Sequence, residues 1–141
     1  MLLSDLLTDA DKAGEAADAF QVLLATRTVA GKELEPGKVE LSEAGALQVD
    51  HSAQEVDVLP VGLMTTPGTC ITIADVRRKL REDPMLGDFA VTGVRRFKRL
   101  TDGGNVQATD PIIGTYTLAD QRQIWLLLYP KEQWPEKWFG A

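Results

Sequence analysis

The sequence predicts a single α+β domain, with an antiparallel or mixed β-sheet of about five to seven strands and two or three helices. Three observations support this fold class. The chain has 141 residues, which is enough to bury one core. Its composition is 44% hydrophobic and 26% charged, as in ordinary globular proteins. Short alternating or apolar runs, separated by turn residues, dominate after position 27.

The first 25 residues are predicted to be mainly helical. Phe20, Leu23 and Leu24 have the spacing of one helical face. The stretch FQVLL also fits a buried strand, and so short a run does not decide between the two. No positively charged region precedes the apolar residues of the N-terminus, so we do not expect a signal peptide.

Residues 27–64 have β character. Glu35-Pro36-Gly37-Lys38 fits a type II turn. The runs 39–41 and 46–50 flank SEAG, which predicts a hairpin. Residues 55–64 alternate apolar and acidic side chains, and Pro60 either ends this strand or restricts it to a sheet edge.

The clearest helix prediction covers Thr72 to Asp83. Thr72 is a candidate N-cap with Asp75 three residues on, and Pro84 ends the helix. Residues 89–100 alternate as a half-buried strand does, with Gly93 as a candidate bulge.

The last third contains two further predicted strands. Residues 102–105 form a turn, and the strands 111–118 and 123–129 are joined by ADQR. The second strand is apolar on both faces, so we expect it at the centre of the sheet. The tail is expected to form a short helical turn around Pro135. The sequence shows no internal repeat.

Few residues are suited to covalent or metal chemistry. With one His and one Cys, a zinc site of the usual kind is excluded, and no metal or cofactor is expected. Cys70 with His51 and Asp50 or Asp57 is the one thiol–imidazole combination available. The segment 31–39 resembles a phosphate-binding loop only superficially, since its glycine spacing is too long and Val39 replaces the Ser or Thr.

Charge is strongly segregated along the chain. Residues 1–76 hold 4 Lys/Arg and 13 Asp/Glu, residues 77–99 hold 8 and 3, and residues 100–141 hold 3 and 5. Three interpretations remain open: ion pairs within the chain, subunit association, and nucleic-acid binding. The sequence pI of about 4.7 argues against the last. The candidate interaction residues are Arg77, Arg78, Arg81, Arg95, Arg96, Lys98 and Arg99.

Aromatic side chains concentrate near the C-terminus. Trp134, Trp138 and Phe139 lie in the tail and need a surface to cover them. They pack either on their own domain or on a neighbouring chain, where Trp is a typical anchor.

These observations favour a non-enzymatic structural or adaptor subunit of a larger protein assembly, for example a small virion component such as a phage capsid-accessory or head–tail protein. One alternative is a binding module that uses residues 77–99 against an acidic protein or nucleic acid. Another is a small hydrolase or transferase that uses scattered carboxylates or Cys70 with His51. The expected partner is another protein or other copies of the chain, without a membrane, in the cytoplasm or in a virion.

Overall fold

The computed structural model describes residues 1–27, 39–63, 66–99 and 101–139. The two α-helices are α1 (Leu3–Asp11) and α2 (Ile73–Glu82). The six strands are β1 (Gln21–Arg27), β2 (Val39–Asp50), β3 (Glu55–Pro60), β4 (Ala90–Lys98), β5 (Asn105–Leu118) and β6 (Gln123–Leu128). Short 3₁₀ turns cover Glu15–Ala19, Pro84–Asp88, Ala119–Gln121, Lys131–Gln133 and Glu136–Phe139.

The six strands form a closed barrel in sequence order. Pairing is antiparallel except at two places, where β6 lies parallel to β1 and β3 lies parallel to β4. The expected α+β class and mixed pairing are therefore found, but the sheet closes on itself. Closure gives β3 a neighbour on each side. The strand ends at Pro60 as predicted, but it is not an edge strand.

Alternate residues of the strands fill the barrel. Val22, Leu24, Ile112, Leu126 and Leu128 are at most 2% exposed. Gly93 faces the same interior, where an added Cβ would lie 2.9 Å from Leu24 Cδ2 and 3.1 Å from Ile112 Cδ1. The β4–β5 register continues through Gly93 without a shift. The prediction of a bulge at this residue is therefore wrong. The glycine is needed because the side chains of the barrel interior leave no room for a Cβ.

The predicted N-terminal helix is too long. Helix α1 ends at Asp11, and Gly14 adopts a φ of 86°, a conformation that favours glycine. Strand β1 begins at Gln21, so the strand interpretation of FQVLL is the correct one. Val22 and Leu24 face the core, because alternate residues of a strand share a face.

The predicted hairpin around SEAG is also wrong. Strand β2 runs unbroken through it, and the β2–β3 register shifts between Ala44 and Ala46, with Gly45 at the bulge. A Cβ on Gly45 would lie 2.7 Å from Thr66 Cγ2, so the glycine permits a close approach. The turn lies later, at residues 51–54. The turn predicted at Glu35–Lys38 and most of the loop-like segment 31–39 lie outside the described residues.

Other predictions are confirmed. Helix α2 starts after Thr72, whose amide donates to Asp75 Oδ2 at 2.8 Å, and it ends before Pro84. The last two strands and the short polar turn between them lie where the sequence placed them, although β5 starts earlier, at Asn105. Two 3₁₀ turns flank Pro135 in the tail.

The structure contains an internal repeat that the sequence did not reveal. Residues 1–60 and 71–128 each form an α-helix, a 3₁₀ turn and three antiparallel strands. The first residues of β1 and β6 pair, Gln21 with Gln123, and so do the first residues of β3 and β4, Glu55 with Ala90. Exchanging the two halves therefore leaves the pattern of strand pairing unchanged.

Individual hydrogen bonds repeat as well. The Leu3 N–H donates to the Phe89 carbonyl at 3.0 Å, and the Ile73 N–H donates to the Phe20 carbonyl at 3.1 Å. Each helix has an acidic residue that accepts from the backbone N–H just before the helix, Asp5 in one half and Asp75 in the other. A φ of 55° precedes the third strand of each half, at Gln54 and at Arg122.

Candidate functional site

Two of the four basic residues of α2, Arg77 and Arg78, form ion pairs within the chain. Arg77 contacts Asp11 and also Asp18, whose Oδ1 lies 2.6 Å from Arg77 Nε. These two carboxylates raise the pKa of the Arg77 guanidinium above its ordinary value. Arg78 pairs with Asp75 on the same helix, and Arg81 is exposed. This part of the basic segment therefore helps to join α2 to the α1 region.

The basic residues of β4 lie elsewhere, on a ribbon that extends from the barrel. Strand β3 pairs with β4 only as far as Gly93, and β6 pairs with β5 only from Ile112 onward. Beyond these points, 94–98 pair with 105–109, and no described strand pairs with the outer edges of 94–98 and 105–110. We call this two-stranded segment the basic ribbon. Residues 94–99 hold four Lys/Arg and no Asp or Glu.

Two of these four side chains are described; one forms an ion pair within the ribbon and the other forms one in the turn at its tip. Arg95 pairs with Asp110 on the neighbouring strand. Arg99 Nε lies 3.2 Å from Asp102 Oδ1. Arg96 and Lys98 are placed on the ribbon by the register of β4 with Gln107 and Asn105.

The structure therefore divides the predicted basic patch into two surfaces. The N-terminus of β4 lies beside α1, since Ala90 bridges to Leu2. Lys98 is eight residues further along the strand, about 26 Å away at the usual rise per residue. Helix α2 packs near α1 and the first 3₁₀ turn, at the opposite end of β4 from Lys98.

An acidic surface lies on the neighbouring hairpin. Strands β2 and β3 with their turn, residues 39–60, contain five Asp/Glu and no Lys or Arg. We call this segment the acidic hairpin. Asp50 accepts hydrogen bonds from the Ala53 N–H at 3.0 Å and from Ser52 Oγ at 3.1 Å. These donors, chiefly the Ala53 amide, hold the pKa of Asp50 below its ordinary value, so it is charged at neutral pH.

The thiol and the imidazole do not meet. Cys70 Sγ donates to the Val22 carbonyl at 3.3 Å, whereas His51 Nε2 lies 3.4 Å from Asp83 and its ring contacts Phe89. Burial, reinforced by Glu43, raises the pKa of the Cys70 thiol. A protonated thiol is a poor nucleophile. In the described ranges 1–27, 39–63, 66–99 and 101–139, no three His, Cys, Asp or Glu residues cluster as metal ligands would.

The aromatic tail packs on its own chain. Trp134 is 4% exposed, belongs to a second core cluster with Ala25 and Leu127, and donates its indole N–H to the Leu128 carbonyl at 2.9 Å. Trp138 stacks on Tyr116, with ring centroids 4.1 Å apart. Trp138 and Phe139 remain half-buried, so their role in an interface stays a prediction.

Sequence reasoning missed a groove beside this tail. It has a volume of about 700 Å³ and lies between α1, β5 and the last 3₁₀ turn. Its polar residues are Asp9, Lys12, Thr115, Thr117 and Lys131. They come from three distant parts of the chain, and no local motif connects them.

None of the helices that the structure describes is long and apolar enough to cross a membrane. Comparisons of the chain with protein-family models, curated proteins and solved structures found no match.

Proposed function

We propose that this protein is a non-enzymatic structural or adaptor subunit that assembles through its basic ribbon. The observation that carries the proposal is the ribbon itself: a strand pair that leaves the barrel with four cationic residues near its end. Its outer backbone edges, which no described strand covers, are able to pair with another chain.

The proposed partner surface is the acidic hairpin of a second copy. The hairpin has five acidic residues and no basic ones, on a chain whose net charge is −6. Opposite charges on two separate surfaces of one body steer association and fix its orientation. Because the two surfaces differ, the contact is heterologous, and such contacts generate rings or filaments.

A subunit that adds copies head to tail is suited to a capsid-accessory or head–tail role in a phage, and we propose that context as one example. The neutral thiol of Cys70, separated from His51, favours this role over the enzyme alternative.

Binding to nucleic acid is the competing use of the same ribbon, since a two-stranded ribbon fits a DNA major groove.

The test is the mass of the particle by light scattering after size exclusion, at low and at high salt. We expect an oligomer that dissociates as the ionic strength rises from about 0.05 M to 0.5 M, where screening is stronger. The variant Arg96→Glu with Lys98→Glu reverses the ribbon charge and is expected to stay monomeric at both salts.

The matched control is Lys79→Glu with Arg81→Glu, which makes the same charge change on α2. Neither of these residues forms an ion pair among the described residues, and the control is expected to assemble as the wild type does. Wild type that is monomeric at both salts contradicts self-assembly. If this monomer retards a DNA duplex and the ribbon variant does not, the ribbon is a nucleic-acid arm.

A further inference from the structure

The internal repeat provides a comparison for the groove beside the tail, which we call the first groove. A second groove, of about 360 Å³, lies at the equivalent place, between α2 of the second half and β2 of the first half. Each is formed by the capped helix, the bulged second strand and the segment that follows the third strand. Features that both halves share are accounted for by the barrel architecture that they have in common. Features of one groove alone are candidates for function.

The two grooves differ at equivalent positions. Thr115 pairs with Leu126 in β6, and Leu47 pairs with Val58 in β3, so these two residues correspond. A threonine hydroxyl therefore lines the first groove where the second has leucine. The aromatic rings of Trp138 and Phe139 line the first groove, whereas Pro67 and Thr69 line the second.

The charge of the first groove is also distinct. Asp9 accepts from Thr115 Oγ1 at 2.8 Å through Oδ2, and its Oδ1 lies 3.4 Å from Lys12 Nζ. The lining of the groove thus contains one carboxylate and two lysines. The second lysine, Lys131, has its Nζ 5.1 Å from the centre of the Phe139 ring and has no ion pair within the described ranges. The first groove is locally positive on a chain with a net charge of −6.

The aromatic part of its wall is formed by Trp138 and Phe139. Trp138 is stacked between Tyr116 at 4.1 Å and Trp134 at 5.7 Å, which holds its ring in place and covers its two faces. The ring therefore offers its edge to the groove, and edge-to-face contact with a flat aromatic group is a favoured geometry. A volume of about 700 Å³ is within the usual range of small-molecule sites.

We propose that the first groove binds a small molecule in which a flat aromatic ring carries an anionic group. The ring lies against Trp138 and Phe139, and the anion lies between Lys12 and Lys131. The hydroxyl of Thr117 supplies a polar contact along β5, whereas Thr115 donates its proton to Asp9. This site is separate from the basic ribbon and does not depend on assembly.

The experiment is a titration of the full chain with 8-anilinonaphthalene-1-sulfonate, an aromatic anion, followed by its fluorescence. We expect saturable binding of one probe per chain. Replacement of Lys131 or Lys12 by Gln is expected to weaken binding about three- to tenfold, the effect of losing one charge-assisted contact. Lys79→Gln, which changes a lysine of the second groove, is the matched control and is expected to bind as the wild type does.

Two further measurements locate the probe. The uncharged analogue N-phenyl-1-naphthylamine has the same rings and is expected to bind more weakly and without dependence on either lysine. The indole N–H resonance of Trp138, assigned by its loss in Trp138→Phe, is expected to shift on addition of the sulfonate. The proposal is overturned if no saturable binding occurs, if Lys79→Gln has the same effect as Lys131→Gln, or if the Trp138 resonance does not move.

Discussion

Replacement of Gly93 by Ala tests whether the barrel interior is packed as described. The added Cβ would lie 2.9 Å from Leu24 Cδ2, 3.1 Å from Ile112 Cδ1 and 3.3 Å from Leu128 Cδ1. All three neighbours are at most 2% exposed, so none of them is able to move into solvent. Overpacking of this kind costs about 1–3 kcal/mol. The reduced freedom of the unfolded chain offsets about 0.4–1 kcal/mol of that cost.

We therefore expect the free energy of unfolding to fall by about 1–2 kcal/mol, which lowers the urea midpoint by about 0.5–1 M. Urea unfolding followed by tryptophan fluorescence measures the change. Gly68→Ala is the control, because no atom lies within 4 Å of its added Cβ, and its midpoint is expected not to fall. Adding Leu24→Val to Gly93→Ala removes the nearest methyl, so the two changes are expected to be non-additive. A Gly93→Ala protein as stable as wild type refutes the packing argument.

Three further predictions concern the cap, the tail and the thiol. The hydrogen bond from the Thr72 amide is the largest cause of the lowered pKa of Asp75. The ionised carboxylate therefore stabilises the folded protein at pH values above the ordinary Asp pKa. This stabilisation is lost as the pH falls through the pKa of the folded state. Asp75→Asn is expected to lower the free energy of unfolding by about 1 kcal/mol at pH 7. In urea titrations at acid pH the difference from wild type is expected to disappear, and a difference that does not change with pH contradicts this reasoning. Trp134→Ala is expected to lower the free energy of unfolding by about 3–5 kcal/mol in the same assay, since the ring is 4% exposed, and a loss below about 1 kcal/mol means that the tail is not docked as described. Because partial burial raises the pKa of Cys70, alkylation by iodoacetamide at pH 8 is expected to be at least about tenfold slower in folded than in urea-unfolded protein. Equal rates contradict a half-buried, neutral thiol.

Local patterns predicted several elements correctly. Thr72, Asp75 and Pro84 are neighbours in sequence, and cap and stop signals act over a few residues, so α2 was predictable. Strand β6 was predictable from its apolar run, but a closed barrel has no central strand, so the expected central position has no counterpart in the structure. These predictions succeeded because each depends on contacts within one segment.

Closure of the barrel depends on contacts that no local pattern encodes. Gln21 pairs with Gln123 across almost the whole chain, and Glu55 pairs with Ala90 across the start of the second half. Gly45 illustrates the same difficulty, because a glycine between two β runs fits a turn or a bulge equally well. The close approach of Thr66, which the sequence does not show, is what requires the glycine.

The internal repeat and the first groove were not predictable from the sequence, for a related reason. The halves share backbone geometry, but equivalent side chains differ, as Leu47 and Thr115 do. The groove combines α1, β5 and the tail, which only the folded chain brings together. The charge pattern identified a basic segment, but not its division between an ion-paired helix and an extended ribbon.

Amide hydrogen exchange at low and at high protein concentration tests directly whether the protein assembles through the basic ribbon. The ribbon edges at 94–98 and 105–110 have no described strand beside them, so their outward amides are expected to exchange quickly when the protein is dilute. Assembly through the ribbon predicts that these amides, together with the acidic hairpin, become protected as concentration rises. If protection increases elsewhere while the exchange of the ribbon amides stays unchanged, the protein does not assemble through the ribbon.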